Sequence, residues 1–240
     1  MNKSDCIVFD DVTIAYGTEE AVRNISFSVP NGEVFAIVGE SGSGKSTLVS
    51  AAFGMLKQAT ITGQILLNGI DISTLSDSDW RKLRGTEISM IFQNPSAYLN
   101  PNRTVENHFK DLFRAHDESY DASRVIDMLN LVHLDGGERI LQSYPFQLSG
   151  GMQQRLAIAL SLILKPTIVF ADEPTSALDI LVQASVLDLL REVTQALGAT
   201  VIIVTHNIKA AARIAHSIGV MNKGQLVEVG STEEVMACPK

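Results

Sequence analysis

GESGSGKST, residues 39–47, fits the pattern G-x-x-x-x-G-K-[ST] with Gly39, Gly44, Lys45 and Ser46 in register. The pattern means phosphate binding where a strand runs into it and a helix leaves it. EVFAIV (33–38) is strand-like, and KSTLVSAAFGML (45–56) is helix-compatible. Glycines let the backbone curl so that successive N–H groups, through Glu40, Ser41, Gly42 and Ser43, face a β-phosphate. Lys45 then reaches the β/γ oxygens, the Ser46 hydroxyl is placed to ligate Mg²⁺, and Thr47 adds a hydroxyl near the α-phosphate. An α/β fold with a nucleotide at its sheet edge follows.

Such a site also needs a carboxylate for the metal and a group that positions the attacking water. TIVFADEP (167–174) offers both where an apolar, β-branched run ends, and the carboxyl edge of a parallel sheet is where ligands bind. Asp172 is assigned to the Mg²⁺ shell and Glu173 to the water. Pro174 is expected to hold Glu173 extended, so that the two carboxylates point in different directions. A second buried run, TVIIVT (200–205), leads into His206, which brings an imidazole to the same edge as a donor for the γ-phosphate. Gln93, after ISMIF (88–92) and before the turn pair Asn94-Pro95, either completes the Mg²⁺ shell, positions water, or is structural. Tyr16, in TIAYG (13–17), either stacks an adenine or caps a strand.

Outward from these segments, CIVFDDVTIAYG (6–17), AVRNISFSV (21–29) and EVFAIVG (33–39) read as short strands. The turn PNG (30–32) separates the last two, and hairpins are the expected connections. GQILLNGIDI (63–72) alternates and contains Asn68-Gly69, the pair that tolerates positive φ in a two-residue hairpin. An antiparallel β-subdomain near the N-terminus is expected. From about Asn100 to Leu164 the chain is helix-compatible, broken by Pro145 and the pair Gly150-Gly151. It reads as a helical subdomain, about residues 96–164, inserted in one unit spanning 1–240.

The bounds agree with such a unit. At 240 residues and 45% hydrophobic content the chain can fill one large core. Its net charge of −8 argues against broad electrostatic binding to nucleic acid. LAIALSLIL (156–164) is well short of the roughly 20 residues that span a bilayer and reads as a buried helix. MNKSDCIVFDD (1–11) brings in charge before any apolar stretch, so no secretory signal is expected. Cys6 and Cys238 lack partners at metal-ligand spacing, which fits inert thiols in a reducing cytoplasm.

LSGGMQQR (148–155) is a second anion-compatible turn. Ser149, the N–H groups of Gly150 and Gly151 and the positive end of the following helix suit an anion, whereas a plain glycine-rich helix cap is the simpler alternative. A stripe of Met152, Leu156, Ala159, Leu160 and Ile163 is expected to anchor that helix.

Taken in order, these motifs resemble those of the ATP-binding subunits of ABC transporters along almost the whole chain. GESGSGKST is similar to Walker A, Gln93 to the Q-loop, LSGGM to the signature, IVFADE to Walker B, SALD (176–179) to the D-loop and His206 to the switch histidine. FQNPSAYLNP (92–101), LSGGMQQR and GQLVEVGSTEEVMACPK (224–240) are similar to the oligopeptide, dipeptide and nickel importers.

The resemblance implies a RecA-like P-loop core with an N-terminal antiparallel β-subdomain and an inserted α-helical subdomain. It also implies ATP and Mg²⁺ as cofactors, with adenine stacked on Tyr16. Ser149, Gly150 and Gly151 would act in trans on the nucleotide of a second ATPase subunit, arranged head-to-tail in a homo- or heterodimer, with Asp179 in the D-loop at the same site. Two membrane permeases docked near residues 93–115, and indirectly an extracellular substrate-binding protein, are the further partners it implies. The subunit would then sit peripherally on the cytoplasmic face of the membrane and drive uptake of a peptide, nickel or metal chelate. A soluble ABC ATPase of translation or DNA repair is the alternative, although the long insertion or second cassette usual there is missing. A nucleotide-sensing module is a further one, against which Glu173 speaks. The sequence stops where that importer group continues through a His-Pro-Tyr-Thr segment, which leaves open a shortened member or a trimmed chain.

Overall fold

Residues 5–176 and 178–237 are described by the computed structural model, and Cys238 lies outside them. The first two strands, β1 (Asp5–Tyr16) and β2 (Glu19–Pro30), form an antiparallel hairpin. β3 (Val34–Gly39) leaves it for another sheet, while β4 (Thr60–Leu67) and β5 (Ile70–Asp71) extend it on the β1 side in the order β2-β1-β4-β5. Asn68 at φ 48° and Gly69 at φ 78° make the expected two-residue turn between β4 and β5.

The hairpin expected across PNG does not form, because β2 and β3 lie in different sheets. Val34 to Val38 are all buried, and a strand with no polar face needs cover on both sides. It finds that cover in the centre of a second sheet.

The remaining elements build that sheet and its layers. They are α1 (Lys45–Ala52), α2 (Asp77–Leu83), β6 (Ile88–Ile91), α3 (Val105–Ala115), α4 (Ala122–Leu131), α5 (Gly137–Gln142), α6 (Gly150–Leu162), β7 (Ile168–Asp172), α7 (Ile180–Leu197), β8 (Thr200–Thr205), α8 (Ile208–Ile214), β9 (Ser217–Asn222), β10 (Gln225–Ser231) and α9 (Thr232–Ala237). The strand order is β10-β9-β3-β8-β7-β6, parallel except for the edge pair β9/β10. β3, β8, β7 and β6 therefore all end on one side. The segments carrying Lys45, His206, Glu173 and Gln93 follow those ends.

One face of this sheet packs against α1 and the antiparallel sheet, where Phe27 stacks on both Phe9 and Phe35 with ring centroids 4.6 and 4.7 Å apart. The opposite face packs against helices from α3 to α8. α6 lies at the centre of this second layer. Leu156, Ala159 and Ile163 of the expected stripe are buried, with Met152 and Leu160 partly so, but Ala157, Ile158 and Leu162 are buried as well. A single stripe is too narrow a description, since α6 touches β6 on one side and α3, α4 and α7 on others. Each buried Leu or Ile contributes about 1.5–3 kcal/mol relative to exposure, so the start of α6 rests on a rigid base. Among the described residues no helix is long and apolar enough to cross a membrane.

Candidate active site

The loop after β3 is shaped by close approaches. A Cβ on Gly39 would lie 2.2 Å from the Met221 carbonyl oxygen, and one on Gly44, which has φ 100°, would lie 2.5 Å from that of Ala21. Only glycine fits at either position, and Gly44 is the N-cap of α1. The Gly224 N–H donates to the Ser43 carbonyl at 3.0 Å and fixes the loop from the β9/β10 turn. These contacts from Ala21, Met221 and Gly224 were not anticipated from the sequence; the readable signal was Asn222-Lys223-Gly224, a turn between two strand-like runs. Inside the loop the buried Lys45 ammonium donates to the Gly39 carbonyl (2.8 Å), the Glu40 carbonyl (2.7 Å) and Ser43 Oγ (3.3 Å). Burial pushes its pKa below the ordinary lysine value, while Glu173 and Asp172 pull it back.

The ends of β7 and β8 face this loop. Ser46 Oγ donates to Asp172 Oδ1 at 2.9 Å. Burial raises the Asp172 pKa, a rise that the Ser46 bond opposes. Glu173 Oε1 lies 3.2 Å from His206 Nδ1, which joins the two strand ends. An open hollow of about 710 Å³ is lined by Gly39, Glu40, Ser41, Glu173 and His206. Glu173 is not extended, as expected before Pro174, but has φ 44°. Its N–H donates to Val204 O at 2.9 Å and its carbonyl accepts from the Ser176 N–H at 3.2 Å, tertiary and turn bonds that override the local preference.

Residues 22–176 match the family model described as ABC transporter. The chain belongs to the ABC transporter family. It is 43% identical to the dipeptide transport ATP-binding protein DppD of Bacillus subtilis (strain 168), over 93% of this chain and 69% of that one. It is 41% identical to the oligopeptide transport ATP-binding protein OppD of Lactococcus lactis subsp. cremoris (strain SK11), over 95% and 69%. Among solved structures it is similar to cbiO1 from Clostridium perfringens, part of the ABC transporter complex cbiONQ, with a TM-score of 0.84 and 30% identity over 97% of this chain and 91% of that one. It is also similar to the ATP-binding cassette MJ0796 in a dimeric post-hydrolysis state bound to ADP and Pi, with a TM-score of 0.81 and 31% identity over 94% and 98%. The fold is that of an ABC ATPase, and the chain is an ATP-hydrolysing cassette of this family.

The structure distributes the other ABC motif residues unevenly. Gln93 is exposed just beyond β6, one strand further out than Asp172. Tyr16 ends β1 with 42% exposure, on the hairpin that also brings Ala21 against Gly44. Thr47 is partly buried in the first turn of α1. Ser149 is the N-cap of α6 and its Oγ accepts from the Met152 N–H at 3.3 Å. Gly150 and Gly151 back onto Leu178 and Val182, next to Asp179, which caps α7 by accepting from the Val182 N–H at 3.0 Å. Among the described residues no hydrogen bond or ion pair joins the signature residues Ser149, Gly150 and Gly151 to residues 39–47.

Lys45→Ala is expected to weaken ATP binding about 10- to 100-fold, the loss of a charge-assisted bond to phosphate being worth roughly 1.5–3 kcal/mol. A direct titration with nucleotide checks this, and unchanged affinity would contradict the placement of Lys45 at the β/γ oxygens.

Proposed function

We propose that this ABC ATPase powers the import of peptides through two partner permeases, as one of two ATPase subunits held peripherally on the cytoplasmic face of the membrane. What carries the reading is the likeness, over at least 93% of the chain, to proteins named for dipeptide and oligopeptide transport. It favours a peptide over nickel or a metal chelate as cargo. The region of about residues 96–164 is the inserted helical subdomain, with residues 93–115 facing the permeases. Specificity for the cargo resides in those permeases and in the extracellular binding protein that feeds them.

The arrangement supports a role for each residue at the site. Lys45 and the N–H groups of residues 39–47 bind the phosphates, with Tyr16 against the adenine. Ser46 and Asp172 present two oxygens 2.9 Å apart, the hard donor set that Mg²⁺ favours, and together with Gln93 they would hold the ion. When bound, Mg²⁺ neutralises charge on the β/γ oxygens. Glu173 orients the attacking water and takes its proton. His206, whose Nδ1 lies 3.2 Å from Glu173 Oε1, is the donor to the γ-phosphate. Ser149, Gly150 and Gly151, with Asp179 beside them, complete the site on a second cassette.

Reconstitution with its permeases and a peptide-loaded binding protein is expected to raise the ATPase rate of this chain severalfold over the isolated subunit. A full rate in isolation, indifferent to the permeases, would instead identify an ABC ATPase working outside transport.

A further inference from the structure

Glu173 has the most constrained backbone at the site. Its φ of 44° is a left-handed conformation that residues with a side chain avoid, and the following Pro174 pushes it further toward extended geometry. The surroundings must therefore hold it. On the N-terminal side there is one bond, from the Glu173 N–H to Val204 O of β8 at 2.9 Å. On the C-terminal side the Glu173 carbonyl accepts two donors from one residue, the Ser176 N–H at 3.2 Å and the Ser176 hydroxyl at 3.2 Å. Pro174 and Thr175 between them are buried, and Ser176 is half-buried, so water competes poorly for that carbonyl.

We propose that Ser176 is a positioning residue for hydrolysis, its hydroxyl pinning the Glu173 carbonyl so that the carboxylate stays turned toward His206. The inference rests on the reading of Glu173 as the group that activates water. The φ of Glu173 sets the direction of its Cα–Cβ bond, and that direction places Oε1 3.2 Å from His206 Nδ1. Without the hydroxyl, one of the two bonds to the carbonyl is lost and the backbone relaxes toward the extended conformation that Pro174 favours. The carboxylate then spends part of its time swung away from His206. Among the contacts described Ser176 touches neither the loop of residues 39–47 nor His206, and its link to the site within this chain is the Glu173 carbonyl.

The test is steady-state ATP hydrolysis by the assembled complex carrying Ser176→Ala, Ser176→Thr or Glu173→Gln, with nucleotide affinity and thermal unfolding measured alongside. Ser176→Ala is expected to lower kcat about five- to tenfold, the worth of one hydrogen bond, with KM and ATP affinity unchanged. Ser176→Thr keeps a hydroxyl at the same place and is expected to restore kcat. In a Glu173→Gln background, Ser176→Ala is expected to cost little more. If Glu173→Gln abolishes turnover while Ser176→Ala runs at the parent rate, or if Thr is as slow as Ala, the positioning role is overturned and Glu173 keeps its own. If Glu173→Gln itself turns over normally, both assignments fall.

Discussion

Glu173→Gln is expected to bind ATP as the parent does and to hydrolyse it about 10²- to 10⁴-fold more slowly, the usual contribution of a positioned general base. The substitution keeps the volume of the side chain and can keep a hydrogen bond to His206, which lies 3.2 Å away. What it removes is the negative charge, and with it the capacity to accept the proton of the attacking water. In the proposed reading the phosphates are held by Lys45 and the loop N–H groups, and the Lys45 ammonium is hydrogen-bonded within the loop rather than to Glu173, so binding and turnover are expected to separate. The nucleotide-bound, closed assembly is expected to accumulate. Nucleotide titration and single-turnover hydrolysis on the same preparation check the two halves. Hydrolysis at the parent rate would move the catalytic role away from Glu173.

The sequence made this site legible to different depths at different residues. The loop of residues 39–47 and the runs ending at Asp172 and Thr205 could be read because each is a local signal: a fixed spacing, or an unbroken apolar run that must be covered on both faces. VFAIV (34–38) is the same kind of run, yet the turn PNG beside it suggested a hairpin. A turn says that the chain reverses and says nothing about which strand becomes the neighbour. β3 pairs with β8 and β9, from residues 200–205 and 217–222, and that choice is made by burial over the whole domain. Glu173 shows the same limit at one residue. Pro174 gives a local preference for extended backbone, and the bonds to Val204 and Ser176 reverse it. Gly39 is half legible: the motif demands a glycine there, but the steric reason, the Met221 carbonyl 2.2 Å from where a Cβ would lie, comes from a strand about 180 residues later.

Ser149→Arg is expected to abolish hydrolysis at the site completed by that chain's signature, leaving the nucleotide site of the same chain able to work with an intact partner. Within one chain no described hydrogen bond joins the signature to the loop of residues 39–47, and its helix end has the chemistry that suits an anion. The Met152 N–H is taken by Ser149 Oγ and the Gln153 N–H by the Ser149 carbonyl, which leaves the Gly150 and Gly151 N–H groups, at the positive end of α6, without partners in the helix. Ser149 and Gly150 are exposed, and the buried Leu156, Ala159 and Leu162 seat α6 in the helical layer with its N-terminal end open to solvent. An anion presented by a second cassette meets both conditions, and a solved neighbour of this fold is a dimer bound to ADP and Pi. In a homodimer, at an ATP concentration that saturates the parent but leaves Lys45→Ala largely unoccupied, Ser149→Arg alone and Lys45→Ala alone each silence both composite sites. Mixing the two variants restores one intact site per mixed dimer, formed by the Lys45 of one chain and the Ser149 of the other. Random pairing then returns about a quarter of the parent activity, since half of the dimers are mixed and each has one of two sites intact. If the natural dimer contains a different cassette, each variant is paired with that partner instead, and one site of two is lost. Turnover measured against mixing ratio decides the matter. Ser149 and Gly150 variants that hydrolyse at the parent rate in the assembled complex, or mixtures no more active than the separate variants, would show that the signature does not complete a partner's site.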